Sequence, residues 1–236
     1  MRPIGFSTGA IARGDFFKAL DLLQDHHIDL VELSALRLEE LEPLISAIPK
    51  LDLTRFKFVA IHAPSRFTPE SEEWVIGKMM AASLNSYPVV VHPDVIFTPE
   101  RWKVLGNRLL IENMDKRKPV GRTVAELVPF FKQLPEARFC FDLGHARQFD
   151  PSMTEAVLLL LAFGDRLAEV HISEVNTASR HDPISPNATR AFRPIARYIP
   201  ETTPIILEPL IDRNQSDIET EIDRARHALT PVSFAA

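Results

Sequence analysis

Seven short apolar runs in this sequence each end on a carboxylate or an imidazole: Glu32, His62, His92, Glu112, Asp142, His171 and Glu208. The stretch Arg138-Phe-Cys-Phe-Asp-Leu-Gly-His-Ala146 shows the pattern best. Residues 138–141 read as a buried β-strand that delivers Asp142, then His145, at its C-terminal end. One ionisable residue at a strand end means little. A series of them, each just after an apolar strand, demands a fold in which many strand ends meet.

Strands are predicted at residues 4–8, 30–34, 56–62, 88–92, 108–112, 138–142, 168–172 and 204–208. Helices are predicted between them. Asp15 caps a helix reaching about residue 26, another spans 38–48 before Pro49, and a last one spans 216–229. Thr68-Pro69, Thr98-Pro99, Asp150-Pro151 and Ser185-Pro186 each place a capping side chain before a proline, which suits the first helical position. Thr123 with Glu126 offers a capping box. Residues 232–236 are expected to fray. Strands that read as continuous apolar runs suit a parallel sheet buried on both faces. Eight βα units without a linker imply a single (β/α)8 TIM barrel, one domain over residues 1–236. A doubly wound open sheet would want a glycine-rich phosphate loop after strand one, and Gly5-Phe-Ser-Thr-Gly-Ala-Ile11 matches that poorly.

Composition narrows the partners. The formal net charge is −5, so a domain-wide basic footprint for nucleic acid is absent. Lys116-Arg-Lys118 is the one compact basic run and is expected to be a solvated loop. Cys140 is the single cysteine, which points to a reducing cytoplasm; it alternates with Phe139 and Phe141 and belongs in the core. Residues 1–5 lack the apolar core of a signal peptide, and the longest apolar run, 156–163, is too short to span a bilayer, so no membrane partner is expected.

Carboxylates packed as densely as Glu112, Asp142 and Glu208 repel one another unless a cation sits among them. With His171 they form a set that suits Mn²⁺, Mg²⁺ or Zn²⁺; His62, His92, His145 and His181 add nitrogen and draw the preference towards Zn²⁺. Each residue alone is equally well read as a loop cap; the joint pattern favours a site. His26, His27 and His227 lie on or near predicted helices and are expected to face solvent. Trp74 and Trp102 are expected to pack the barrel. Phe6, Phe67 and Phe149 fit either a pocket wall or the core. Glu32 and Glu174 could each reach a substrate hydroxyl or cap a loop.

The motifs Ala60-Ile-His-Ala-Pro64, Val90-Val-His-Pro93, Leu110-Ile-Glu-Asn113, Phe141-Asp-Leu-Gly-His145, Val170-His-Ile172 and Leu207-Glu-Pro209, in that order, resemble the xylose isomerase-like barrel superfamily. That superfamily holds endonuclease IV, sugar isomerases and epimerases, hydroxypyruvate isomerase and inosose dehydratase. Resemblance to endonuclease IV implies one metal on His62, His92 and Glu112, and a second on Glu112, Asp142, His171 and Glu208. It implies a third on His145, His181 and an aspartate where this chain has Ser179. By contrast, His171-Ile-Ser-Glu-Val-Asn176 and Leu207-Glu-Pro-Leu210 resemble the ketose 3-epimerases. That branch implies one metal on Glu112, Asp142, His171 and Glu208, with Glu112 and Glu208 as catalytic base and acid. Its substrate-binding arginine falls on Thr177, leaving Arg180 or Arg147 to compensate.

The expected function is therefore a metal-dependent isomerase or epimerase, with Mn²⁺ or Zn²⁺ ahead of Mg²⁺. It would move a proton beside the carbonyl of a small sugar or hydroxy-carbonyl compound, with a carbohydrate-like partner rather than nucleic acid. An endonuclease IV-like zinc-dependent phosphodiester hydrolase is the alternative, and a catalytically inactive metal-binding barrel a third.

Overall fold

The computed structural model describes residues 2–82, 86–211 and 215–231; the expectation for residues 232–236 lies outside them. The barrel strands are β1 (Ile4–Ser7), β2 (Leu30–Ser34), β3 (Phe58–His62), β4 (Val89–Val91), β5 (Leu109–Glu112), β6 (Arg138–Asp142), β7 (Leu167–Ile172) and β10 (Ile205–Leu207). They close in the order β1-β10-β7-β6-β5-β4-β3-β2, every pair parallel. This is the (β/α)8 barrel that the apolar runs predict. A separate antiparallel pair, β8 (Glu174–Val175) with β9 (His181–Asp182), follows β7.

The helices are α1 (Thr8–Ala12), α2 (Phe16–Leu23), α3 (Leu38–Ala47), α4 (Glu72–Ala82), α5 (Pro99–Trp102), α6 (Val124–Gln133), α7 (Leu143–Phe149), α8 (Thr154–Phe163), α9 (Pro186–Phe192) and α10 (Gln215–Ala228). No helix among the described residues is long and apolar enough to cross a membrane. Several starts follow the predicted chemistry. Asp15, Thr123 and Ser185 accept from the backbone N–H of Lys18, Glu126 and Ala188. The Asp150-Pro151 start does not hold. Asp150 accepts from Ser152 N and Glu155 N, Met153 adopts a left-handed φ of 62°, and α8 begins only at Thr154.

Alternation divides β6 between two environments. Phe139 and Phe141 point outward into the helical layer, where Phe139 meets Phe131 and Phe163 edge to face. Each such burial contributes about 1.5–3 kcal/mol. Cys140 points inward with Val90, Leu110 and Ala168, a small apolar plug inside the barrel. The β6–β7 pairing carries an irregularity that positions the site above. Phe139 pairs with Leu167, but Cys140 pairs with Glu169, so Ala168 is an extra residue. A one-residue bulge re-aims everything beyond it. Here it places Glu169 and His171 on the same face as Cys140 and Asp142.

Two side chains expected in the barrel packing or in solvent lie elsewhere. Trp102 is fully buried, but Trp74 is exposed, because α4 turns Val75, Ile76 and Met79 to the core instead. His26 is buried rather than solvent-facing, since its Nδ1 meets Glu219 Oε1 of α10 at 2.6 Å. His27 and His227 are exposed as expected.

Candidate metal centre

Parallel register puts the C-terminal strand ends side by side. Ser34 lies level with His62, Glu112 with Cys140, and Asp142 with His171. Glu208 is drawn in beside β7 by its N–H donating to Ile172 O at 3.2 Å. Asn113 splices the ends of β5 and β6: its side chain accepts from Asp142 N at 2.8 Å and donates to Asp142 O at 2.9 Å. Asp142 Oδ1 then caps α7 by accepting from His145 N at 2.6 Å, which leaves Oδ2 facing inward. Gly144 allows this turn, because a Cβ there would lie 2.7 Å from Ser173 O.

Glu112 is the hub. Its Oε2 lies 3.3 Å from His62 Nε2 and 3.1 Å from His92 Nε2. Its Oε1 lies 3.3 Å from both His145 Nδ1 and His171 Nδ1. Glu208 Oε2 lies 3.5 Å from His171 Nδ1 and 3.4 Å from His181 Nδ1. His181 arrives on the β8–β9 hairpin, braced by Ser173 Oγ at 2.9 Å. All eight predicted ligands therefore converge at one mouth.

A cation fits this arrangement. His92 Nδ1, Glu112 Oε1, Asp142 Oδ2, His171 Nδ1 and Glu208 Oε2 are buried without a hydrogen-bond partner among the described residues. Such orphaned atoms are expensive unless something satisfies them. Their ligating atoms fall into overlapping groups, all within 4.8 Å of one another: His62, His92 and Glu112; Glu112, Asp142, His171 and Glu208; Asp142, His145 and His181; and, deeper, Glu32, His62 and His171. The group of His145 and His181 takes its carboxylate from Asp142, which it shares with the group of Glu112, His171 and Glu208. Mixed nitrogen and oxygen donors of this kind could hold a divalent cation.

Electrostatics reflect the crowding. Burial opposes ionisation of Glu112, but the four imidazoles around it, His145, His171, His62 and His92, outweigh it and hold its carboxyl well below the usual range. Burial, with Glu112 and Asp142 adding repulsion, pushes Glu208 up to about 8. Burial alone would lower His62, yet Glu32 and Glu112 raise it to about 9; Asp142 and Glu112 likewise raise His145 to about 10. Burial prevails at His92, about 4, and at His181, about 3.

The mouth opens into a cavity of about 300 Å³ that Arg66, Arg117 and Lys118 help to line. The Lys116–Lys118 run is therefore only partly a solvated loop. Lys118 Nζ donates to Asp94 at 2.9 Å and Ser65 O at 3.1 Å, and the Arg117 guanidinium donates to Ala178 O, so the run ties several rim loops together. Ser179 also lines the cavity, its Oγ accepting from Gln148. The three residues expected near substrate sit apart. Glu174 pairs with Arg147 at 2.7 Å and accepts from Ser185 N, Arg180 is exposed beyond the hairpin turn, and Glu32 is fully buried under His171. Phe6, Phe67 and Phe149 are not in the cavity lining. Sequence reading missed Glu169, fully buried beneath His171, and Asp115, which lines the cavity.

No family model and no curated protein matches the sequence. Solved structures do match the fold. Endonuclease IV from Thermus thermophilus superposes with a TM-score of 0.62 at 19% identity, over 96% of this chain and 99% of that one. A xylose isomerase-like TIM barrel protein from Mycobacterium smegmatis, in complex with magnesium, gives 0.59 at 14%, over 98% of both chains. A proposed sugar phosphate isomerase/epimerase from Anabaena variabilis gives 0.58 at 12%, over 97% and 99%. The chain thus shares its (β/α)8 barrel fold with these proteins, and the mouth is a candidate metal centre of histidines and carboxylates.

Proposed function

We propose that this chain is a metal-dependent enzyme holding more than one divalent cation, and that it hydrolyses a phosphate ester. The observation that carries the reading is the surroundings of Glu112, whose two oxygens each face two imidazoles. A carboxylate so placed belongs to two donor groups and would help hold a divalent cation in each. Divalent cations held there would supply Lewis-acid polarisation of a phosphoryl oxygen and a lowered pKa for an attacking water. The chain's own residues do the rest. Arg66 and Arg117 at the rim favour an anionic substrate, the small cavity limits water around it, and Asn113 fixes the two strand ends that carry Glu112 and Asp142.

Proton transfer next to a carbonyl is the second reading, and one observation favours it. Glu112, Asp142, His171 and Glu208 form a complete four-ligand group by themselves, with Glu112 and Glu208 both near His171 Nδ1. It leaves His62, His92, His145 and His181 without a part. Metal analysis of the purified protein, run beside cleavage of an abasic-site duplex and deuterium uptake by small ketoses, separates the two. Two or more Zn²⁺ per chain, with cleavage lost in His62→Ala and His92→Ala, is the expected result. One metal per chain, with deuterium exchange indifferent to both changes, would establish the isomerase instead. Metal without either activity would support a catalytically inactive barrel.

A further inference from the structure

Two carboxylates lie inside the barrel below the mouth and take no part in the reading above. Glu32 on β2 and Glu169 on β7 are both fully buried. Both aim at one atom: His171 Nε2 lies 3.2 Å from Glu32 Oε2 and 3.6 Å from Glu169 Oε1. The other ring nitrogen, Nδ1, faces Glu112 and Glu208 at 3.3 and 3.5 Å. A neutral imidazole has one N–H and one lone pair. For His171 to offer its Nδ1 lone pair to the mouth, its hydrogen must sit on Nε2, and a group beneath must accept it.

We infer that Glu32 is the positioning residue of His171: it accepts the Nε2–H from inside the barrel and holds the ring with Nδ1 turned towards Glu112 and Glu208. The inference rests on His171 being a metal ligand, as in the reading above. Glu32 is preferred to Glu169 on two grounds. Its contact is shorter, and its other oxygen is anchored. Ser34 Oγ donates to Glu32 Oε1 at 3.2 Å and is itself 2.6 Å from Ser7 Oγ, so the carboxylate is held from β1 and β2 together. Neither oxygen of Glu169 has a hydrogen-bond partner among the described residues; Glu32 Oε2 and His171 Nε2 also have none besides their own 3.2 Å contact, so each is left to serve the other. Full burial under His171 also separates Glu32 from any substrate in the cavity above, which replaces the hydroxyl-binding role expected from sequence. Carboxylates that accept from a ligating histidine fix its tautomer and raise its basicity, and their loss typically weakens metal binding about 10–100-fold.

The test uses the full chain loaded with Zn²⁺, reading His171 ring nitrogens by ¹⁵N NMR and Zn²⁺ affinity by chelator competition. Wild-type protein should show a coordinated Nδ1 and a slowly exchanging Nε2–H. Glu32→Leu should lose that protection and bind Zn²⁺ about 10–100-fold more weakly. Glu32→Gln, whose amide oxygen still accepts, should keep most of both, and Glu169→Gln should change little. In a His171→Asn background, Glu32→Leu should cost nothing further, because the two act as one unit. A protected Nε2–H that survives in Glu32→Leu overturns the inference. So does the loss of one whole Zn²⁺ equivalent with the remaining affinity intact, since Glu32 would then be a ligand with His62 and His171. If Glu32→Leu does not fold, Ser34→Ala cuts the anchor alone and should speed Nε2–H exchange; unchanged exchange also overturns it. Wild-type protein that binds no Zn²⁺ would remove the metal reading and this inference together, whereas the other failures touch the inference only.

Discussion

Glu72 and Glu112 are both buried glutamates, and the chain treats them in opposite ways. Glu72, at the start of α4, has one oxygen that accepts from Phe97 N, Thr98 N and Trp102 Nε1 at 2.7, 2.9 and 2.9 Å. Those donors are permanent: they have one hydrogen each and no lone pair to offer. Glu112 faces imidazoles instead, at 3.1 to 3.3 Å. An imidazole can hold a proton towards the carboxylate or exchange it for a cation. Burial alone therefore does not mark a functional carboxylate; the chemistry of its neighbours does.

The largest expected effect breaks this comparison or confirms it. Glu112→Ala should reduce activity by about 10³-fold or more, the scale of removing a preorganised charge at a reacting centre. It should also release more than one equivalent of Zn²⁺, because Glu112 belongs to two donor groups. Glu72→Ala should leave the Zn²⁺ content untouched yet cost about 3 kcal/mol of stability, since it strands an indole and two backbone N–H groups without an acceptor. Metal analysis and denaturant unfolding read both. A Glu112→Ala protein that gives up a single equivalent would show that the hub does not serve both groups.

Chelation comes next in size. Bound cations stabilise the fold by mass action, about 2.7 kcal/mol at a free concentration 100-fold above Kd. Chelator should lower the melting temperature, and added Zn²⁺ or Mn²⁺ should restore it. Glu208→Gln sharpens the contrast: by relieving repulsion it should raise the stability of the metal-free protein while weakening the gain from metal. A melting curve indifferent to chelator and to added metal would end the assignment of a metal centre.

These outcomes turn on side chains of unequal legibility. The barrel was readable because parallel strands buried on both faces appear as unbroken apolar runs, and their C-termini share one face. That logic points to Glu112, Asp142, His171 and Glu208 from the sequence alone. It could not locate Glu169, whose inward direction depends on the bulge at Ala168. Nor could it foresee the hairpin that brings in His181, because two-residue strands carry no periodicity. The hold of Lys118 on Asp94 and Ser65, and of Glu219 on His26, joins loops or helices far apart in the chain. Such contacts belong to tertiary packing and leave no local signal.

A smaller, graded effect concerns pH. In the metal-free protein His62 and His145 hold protons up to about 9 and 10, and Glu208 up to about 8. Ligation requires those protons to leave, so Zn²⁺ affinity should rise as pH increases from 6 towards 10, with protons released on binding. For the metal-free fold the sign is reversed. Folded pKa values above the ordinary 6.5 mean that the two imidazolium contacts stabilise fully below pH 6.5 and are lost as pH rises through 9 and 10. Calorimetry in buffers of different ionisation enthalpy measures the proton release. An affinity flat between pH 6 and 9 would mean that His62 and His145 are not displaced from their carboxylates by the metal.

The smallest expected effect tests the comparison from the histidine side. His26 is as buried as the mouth histidines, and its Nδ1 also meets a glutamate, Glu219, at 2.6 Å. The difference is the company. Glu219 is exposed on its outer side, and neither His26 nor Glu219 belongs to any of the donor groups at the mouth. The pair links the end of α2 to α10, and its task is to hold two helices together. His26→Ala should therefore cost about 1 kcal/mol, the usual net worth of one partly buried hydrogen bond. Zn²⁺ content and affinity should match wild type, in contrast with His171→Ala, which should lose metal and also lower the metal-free melting temperature, because it strands the buried carboxylates that face the ring. Loss of Zn²⁺ in His26→Ala would mean that the α2–α10 contact supports the mouth from a distance, and that shared convergence on Glu112 is not what separates the two classes of buried histidine.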